Sequence, residues 1–415
     1  MSVIRTFVSH HGGDYEERVA PILRLVAPLG VRPWIDKVDL GDRVGLPLAG
    51  QIEEAILRGP CTSMSLFLSK HSVTRKWVER EVELALQRLG DNFRVLPIFL
   101  DPPDEIDLPP TFRRLLDQKP LWLEPFKDPR FIEKYAQSVW AAGGLTDSSK
   151  EITLYLGHRN PSWTVEVPAQ YSHAPTLDLR FNLMGDRSYS PAENEWTKIE
   201  EGFKKIDEYL RCLKRINVCG FAPLGVGTLI GKTWDRGTGV QIFSDNFFNH
   251  IHQTWTTEGQ DFLLADNWSP DLSDETQLIK MSRPATARHN VMLMAFLPEG
   301  RDVEYMTDIE RWINDRGADT VIQKVILPKY VTNPAQAQQL VRECVGAIRL
   351  IKRHCKEIKL IEVISGYPLA LAPLISYHLR KCGPIHFYDE ESNTHEYRLA
   401  AMIGVSPSPA QSPSL

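Results

Sequence analysis

The first 142 positions alternate two hydrophobic periods. Ile4–Ser9, Val31–Asp36, Thr62–Leu68, Arg94–Leu100 and Lys119–Leu123 are short apolar or alternating runs that predict strands. Tyr15–Ala27, Pro47–Leu57, Lys76–Leu89 and Asp128–Ala142 carry apolar residues three and four apart and predict helices. Within Ser69–Leu89, the residues Val78, Val82, Ala85, Leu86 and Leu89 form one apolar stripe behind a polar turn. Trp77 and Glu81 are four apart on a neighbouring face, so they lie one above the other.

Strand and helix in turn imply a parallel sheet covered on both faces, a flavodoxin-like open α/β domain. Such sheets bind ligands beyond the carboxyl ends of their strands. Ser9, Asp36 and the loop before Trp77 then share one edge.

Beyond Gly143–Lys150, a small polar stretch that reads as a linker, the chain repeats itself. Ile216–Val226 (INVCGFAPLGV) matches Ile361–Leu371 (IEVISGYPLAL) with Pro223 and Pro368 standing 145 positions apart. At that offset Phe203, Ile206 and Leu213 meet Ile348, Ile351 and Ile358, and Val240–Phe243 meets Ile385–Tyr388. Each copy reads helix, strand, Pro-containing turn, helix, strand, which predicts two tandem Rossmann-like α/β half-domains. Expected boundaries are 1–142, a linker over 143–150, 151–405 for the repeated part, and a low-complexity disordered tail over 406–415.

Composition narrows the chemistry. With 42% hydrophobic and 24% charged residues, the 415-residue chain reads as ordinary globular protein of two or three domains. A net charge of −5 argues against a partner among long nucleic acids, which need a basic footprint. The six cysteines contain no C-x-x-C pair, so neither a zinc site nor any other metal is expected, and buried free thiols are. No signal peptide is read ahead of the first strand, so a cytoplasmic setting is expected. The longest apolar stretch, Val363–Ile375, is too short for a bilayer and reads as core.

Glu79, Glu81 and Glu83 all compete for a role on the Lys76–Leu89 helix, and spacing alone does not separate them. Three segments in order resemble a TIR domain: Ile4-Arg5-Thr6-Phe7-Val8-Ser9-His10 with Gly12-Gly13-Asp14; Val31–Asp36 with Asp39–Gly45 and Ile52–Ile56; and Ser69 through Trp77-Val78-Glu79-Arg80-Glu81. In TIR domains that cleave NAD, the essential glutamate stands four after the aromatic of W-x-x-x-E. The resemblance therefore assigns catalysis to Glu81. It also implies substrate-binding roles for Trp77, Ser9, His10 and Asp36, and for Asp42 and Gly45 in the long loop that shapes the pocket. The segment Ser9-His10-His11-Gly12 departs from the usual pattern in lacking a stacking aromatic. The implied reaction breaks the nicotinamide–ribose bond through an oxocarbenium-like state, with NAD⁺ as substrate and no cofactor.

The repeated half, with its paired A/Y-P-L-G/A turns and Phe387-Tyr388-Asp389-Glu390, resembles a SAVED domain, a fusion of two CARF-like halves that senses cyclic oligonucleotides. The resemblance implies a cyclic-oligonucleotide activator such as cyclic tri-adenylate. Its site would be formed by Ala222, Pro223, Leu224 and Gly225 in one copy and by Gly366, Tyr367, Pro368, Leu369 and Ala370 in the other. Each proline is expected at the first helical position, with the following N–H groups free to meet a phosphate and small residues allowing its approach. This order of domains resembles the TIR-SAVED effectors of bacterial anti-phage (CBASS) signalling, and implies head-to-tail self-association into an oligomer or filament. The rival is a non-enzymatic TIR adaptor. Gly225-Val226-Gly227-Thr228-Leu229-Ile230-Gly231-Lys232-Thr233 is not a P-loop, because the first Walker glycine falls on Val226. His250-x-His252 has no supporting ligand cluster.

Overall fold

The computed structural model describes residues 3–35, 48–59, 61–90, 93–116, 128–157, 167–179, 193–235, 237–248, 251–256, 280–281, 290–316, 320–379, 382–391 and 396–404. The expected strand at Lys119–Leu123 and the tail at 406–415 lie outside them.

Strand β1 (Val3–Ser9) leads through a 3₁₀ turn at Gly12–Asp14 and a π-type turn at Tyr15–Val19 into α1 (Ala20–Val26). The helix expected over Tyr15–Ala27 forms as one continuous helical run whose first turns are π-type rather than α. Pro21 has no N–H to give the carbonyl four residues back, and the wider turn sits just ahead of it. Then come β2 (Arg32–Trp34), α2 (Leu48–Leu57), β3 (Ser63–Leu68), α3 (Lys76–Arg88), β4 (Arg94–Phe99), the unforeseen short α4 (Pro110–Leu116) and α5 (Phe131–Ala142). β5 (Glu151–Gly157), β6 (Thr176–Leu179), α6 (Glu193–Tyr209) and β7 (Arg215–Phe221) follow.

β4, β3 and β1 pair in parallel, in that order. The far side of β1 serves two strands: Arg5–Phe7 pairs with Arg32–Trp34 of β2, and Val3–Ile4 pairs with Thr176–Leu177 of β6. β6, β5 and β7 continue the sheet, again in parallel. β3 is buried at every position, as a strand covered on both faces must be. Phe7, Trp34, Ile52, Met64, Val78, Val82 and Phe99 pack in its core.

The chain falls into two compact units, Met1–Arg187 with Glu201–Phe221, and Ser188–Glu200 with Ala222–Leu415. This division differs from the expected 1–142, 143–150 and 151–405, because β5, β6 and β7 extend the sheet that β1 begins. The stretch read as a linker is packed chain: Leu145 is fully buried, and a Cβ on Gly143 would stand 2.5 Å from Ile4 Cγ1.

The second unit contains α7 (Leu224–Thr233), the antiparallel pair β8 (Gln241–Phe248) and β9 (Ile251–Thr256), and a six-stranded sheet. That sheet is built from β10 (Lys280–Met281), β11 (Val291–Pro298), β12 (Thr320–Leu327), β13 (Leu360–Ser365), β14 (Ile385–Glu391) and β15 (Glu396–Ile403), in the order β10-β12-β11-β13-β14-β15. Helices α8 (Asp302–Arg316), α9 (Pro334–His354) and α10 (Ala372–Tyr377) connect its strands.

The repeat is real at the level of elements. β7 and β13 begin 145 apart, as do β9 and β15, and α6 and α9 end 145 apart. β6-β5-β7 and β12-β11-β13 share one parallel order, and β8-β9 and β14-β15 are both antiparallel. Pro223 and Pro368 adopt nearly the same backbone angles, φ −54, ψ 147 and φ −56, ψ 141. Those ψ values are extended, so each proline caps its helix from outside, one residue earlier than the helical position expected.

Candidate active site

The sheet edge predicted to carry chemistry does gather polar side chains. Ser9 ends β1 opposite Leu66 of β3 and is 1% exposed. Its Oγ–H donates to Glu81 Oε2 at 2.5 Å, and Glu81 is itself buried. α3 points the three competing glutamates into different surroundings. Glu79 accepts a hydrogen bond from Thr111 Oγ1 at 3.0 Å, and Glu83 faces solvent beside Arg80 at 3.1 Å. Glu81 alone of the three is buried, on the same side as Val78, Val82 and Ala85. A carboxylate buried at such a sheet edge is of the kind that can stabilise a developing cation.

Trp77, one turn before Glu81, is 41% exposed, which excludes a core-packing role. His10 is half-buried with its ring 5.0 Å from that of Tyr15. Asp36, Asp42 and Gly45 lie outside the described residues.

A network absent from the sequence reasoning anchors the loops around Glu81. Asp14, buried, accepts Ser69 Oγ–H at 2.6 Å and pairs with Arg18 at 3.4 Å; Arg18 also bridges to Asp101 at 2.8 Å. Ser69 and Ser72 exchange backbone-to-hydroxyl bonds at 2.7 and 3.0 Å, which fixes the turn that starts α3. Burial works to raise the Asp101 carboxyl, but the Lys70 N–H and Arg18 outweigh it and hold it below its ordinary value. The available signal was the cluster of short polar residues at strand ends, Asp14 after β1 and Ser69 after β3.

In the second unit the two Pro-containing turns come together through their helices. A Cβ on Gly227 would stand 2.8 Å from Ala372 Cβ and 3.1 Å from Leu369 Cδ1. Pro368 is exposed, Ala222, Pro223, Leu224, Gly366 and Leu369 are half-buried, and Gly225, Tyr367 and Ala370 are buried. The N–H groups of Leu224 and Gly225, expected to be free for a phosphate, point at the Asp389 carboxylate of β14. Burial raises Asp389 to about 7, against the pull of the Gly225, Glu390 and Leu224 N–H groups and with a smaller push from the Glu390 charge. Gly225 is not open space either: a Cβ there would be 2.5 Å from Ala400 Cβ and 2.6 Å from Trp196 Cη2. The signal for Asp389 was its parity with Ile385 and Phe387, which places an acid on the inward face of a strand.

Among the described residues no group of three or more His, Cys, Asp and Glu is placed to hold a metal ion, and no helix is long and apolar enough to cross a membrane. A cavity of about 340 Å³ in the first unit, lined by Trp140, Lys205, Tyr209 and Arg211 among others, includes none of the expected site residues.

Residues 6–133 match the family model described as a TIR domain. No curated protein matches the chain. Among solved structures, the chain is similar to the Acinetobacter baumannii Cap4 SAVED/CARF-domain containing receptor with the cyclic trinucleotide 2′3′3′-cAAA. That match has 13% identity, covers 86% of this chain and 84% of the other, and has a TM-score of 0.46. The Moraxella osloensis Cap4 SAVED/CARF-domain containing receptor matches with 11% identity over 86% of this chain and 83% of its own, at a TM-score of 0.43.

Proposed function

We propose that this protein is a cytoplasmic NAD⁺ hydrolase of antiviral defence, switched on by a cyclic oligonucleotide such as cyclic tri-adenylate. The observation that carries the enzymatic half is Glu81, buried and hydrogen-bonded by Ser9 at the carboxyl edge of the sheet within the TIR-matching residues. Nicotinamide leaves a cationic ring as a neutral molecule, so the protein needs chiefly to orient the ribose and to stabilise the oxocarbenium-like state. Glu81 supplies the negative charge, and the short contact with Ser9 fixes its direction. NAD⁺ is substrate, and no cofactor is required.

The sensing half rests on the repeat, whose equivalent turns at Ala222–Gly225 and Gly366–Ala370 lie near one another in the second unit. Binding would shift the population toward a head-to-tail assembly in which a neighbour completes the TIR site.

The test is etheno-NAD⁺ fluorescence with and without a panel of cyclic oligonucleotides, read alongside light scattering. Cleavage that appears together with larger species supports the proposal. Full activity without ligand removes the sensing half, and assembly without cleavage favours a TIR adaptor.

A further inference from the structure

His11 stands two residues beyond Ser9, whose hydroxyl meets Glu81. Two residues of extended chain span ~7 Å, and His11 is extended, with φ −80 and ψ 133. Its imidazole folds over Gly13, where a Cβ would stand 2.9 Å from Cε1 and 3.1 Å from Nδ1, so only glycine leaves the ring this place. Nδ1 is buried without a hydrogen-bond partner and lies 3.8 Å from Asp14 Oδ2. That oxygen is fixed in turn by Ser69 Oγ–H. The His71 ring stands 5.7 Å away. The His11 side chain is still 21% exposed, so with Nδ1 turned inward the rest of the ring is the part that meets solvent.

An imidazole with one nitrogen turned to a buried carboxylate and the other side open has the layout of an oriented general base. Contacts of this kind are often long in an unliganded site and tighten when substrate arrives. We propose that His11, oriented by Asp14, is the general base of the hydrolytic step; this rests on the NAD⁺-hydrolase reading above. The C1′–N bond breaks and its electron pair moves to the pyridinium nitrogen, giving neutral nicotinamide. A water oxygen bonds to C1′, its proton passes to Nε2 of His11, and from there to solvent. Water is the sole co-reactant. Glu81, engaged by Ser9, faces the developing cation, which divides the two roles between two side chains.

Hydrolysis and base exchange separate these roles. A free pyridine brings its own lone pair to C1′ and needs no base, whereas water does. The full-length protein, with cyclic tri-adenylate and NAD⁺, is assayed in buffer alone and with excess 3-acetylpyridine. His11→Gln is expected to lower hydrolysis by ~10²-fold, the common scale for a lost general base, while retaining exchange. Asp14→Asn is expected to shift the same ratio in the same direction by less. Melting curves and a second variant, His11→Asn, guard against a folding defect. Folded variants in which hydrolysis is unchanged, or falls in step with exchange, overturn the assignment of His11 while leaving the NAD⁺-hydrolase reading in place. Absence of any cleavage by the wild-type protein overturns that reading, and the His11 assignment with it.

Discussion

Replacing Asp389 by Asn should stabilise the second unit, and by an amount that grows with pH. The carboxyl is buried, and burial lifts it from the ordinary 3.8 to about 7 despite the N–H groups of Gly225, Glu390 and Leu224 that face it. A group whose folded value is raised contributes stability fully below its unfolded value and loses it as pH climbs through the folded one. Between pH 4 and pH 7 the unfolded chain has released the proton and the folded chain keeps it. Wild-type stability should therefore fall by ~1.4 kcal/mol per pH unit from this site. The difference of about three units amounts to about 4 kcal/mol, reached above pH 8. Asn keeps an acceptor for the α7 N–H groups and carries no charge, so the variant should lack this slope. The assay is denaturant unfolding of wild type and variant at pH 4.5, 6, 7.5 and 8.5, followed by tryptophan fluorescence, which reports the buried Trp234 and Trp255 of the second unit. A stability difference that is flat across this range would refute the argument, and so would a variant that is less stable at pH 8.5.

Three further outcomes are expected. Glu81→Gln should reduce NAD⁺ cleavage by ~10²–10³-fold with an unchanged melting curve; near-normal turnover by the pure variant returns the question to Glu79 and Glu83. Ser9→Ala removes one hydrogen bond to a buried carboxylate, a loss of ~1.5–3 kcal/mol or ~10–100-fold in kcat, measurable by steady-state kinetics; an unaltered kcat would separate Ser9 from Glu81. Gly231→Val and Gly225→Val should both lower the melting temperature, the first more. The Cβ at 231 would sit 2.1 Å from Pro373 O and from Ser376 Oγ, and at 225 it would meet Ala400 and Trp196. Variants that melt like wild type would show that these helices can move apart.

Periodicity carried the fold further than it carried the site. The period-2 and period-3.6 runs located β1, β3, β4, α2, α3 and α5 because each buries one coherent face, and burial is what periodicity records. The ungapped 145-residue offset gave the two copies for the same reason, since equivalent strands and helices must keep phase to share a core. Periodicity does not record which strand pairs with which. Nothing in Val3–Ile4 announces that its edge is shared with Thr176–Leu177, a pairing across more than 170 positions. The expected boundary at 142 followed the local composition of Gly143–Lys150, while the structural boundary follows that remote pairing.

The glycines of Gly225-Val226-Gly227-Thr228-Leu229-Ile230-Gly231 show why the rest stayed hidden. A glycine states that a side chain is absent; it does not state what occupies the space. The sequence offers a ligand phosphate at Gly225 and a failed nucleotide loop across the run. In the structure Gly227 and Gly231 bring α7 within contact of Ala372, Pro373 and Ser376 at α10, and Gly225 admits Trp196 and Ala400. The anion at the start of α7 is the chain's own Asp389, supplied from a strand more than 160 residues away. Helical spacing alone left Glu79, Glu81 and Glu83 in competition; only the W-x-x-x-E resemblance singled out Glu81, and its burial on α3 was not legible in the sequence. The anchoring part of Asp14 was not legible, because its partner Ser69 comes from a different loop. A pattern within one element can be matched to a local motif, whereas a network made between elements depends on strand order, and that order is set by the summed burial of the whole sheet.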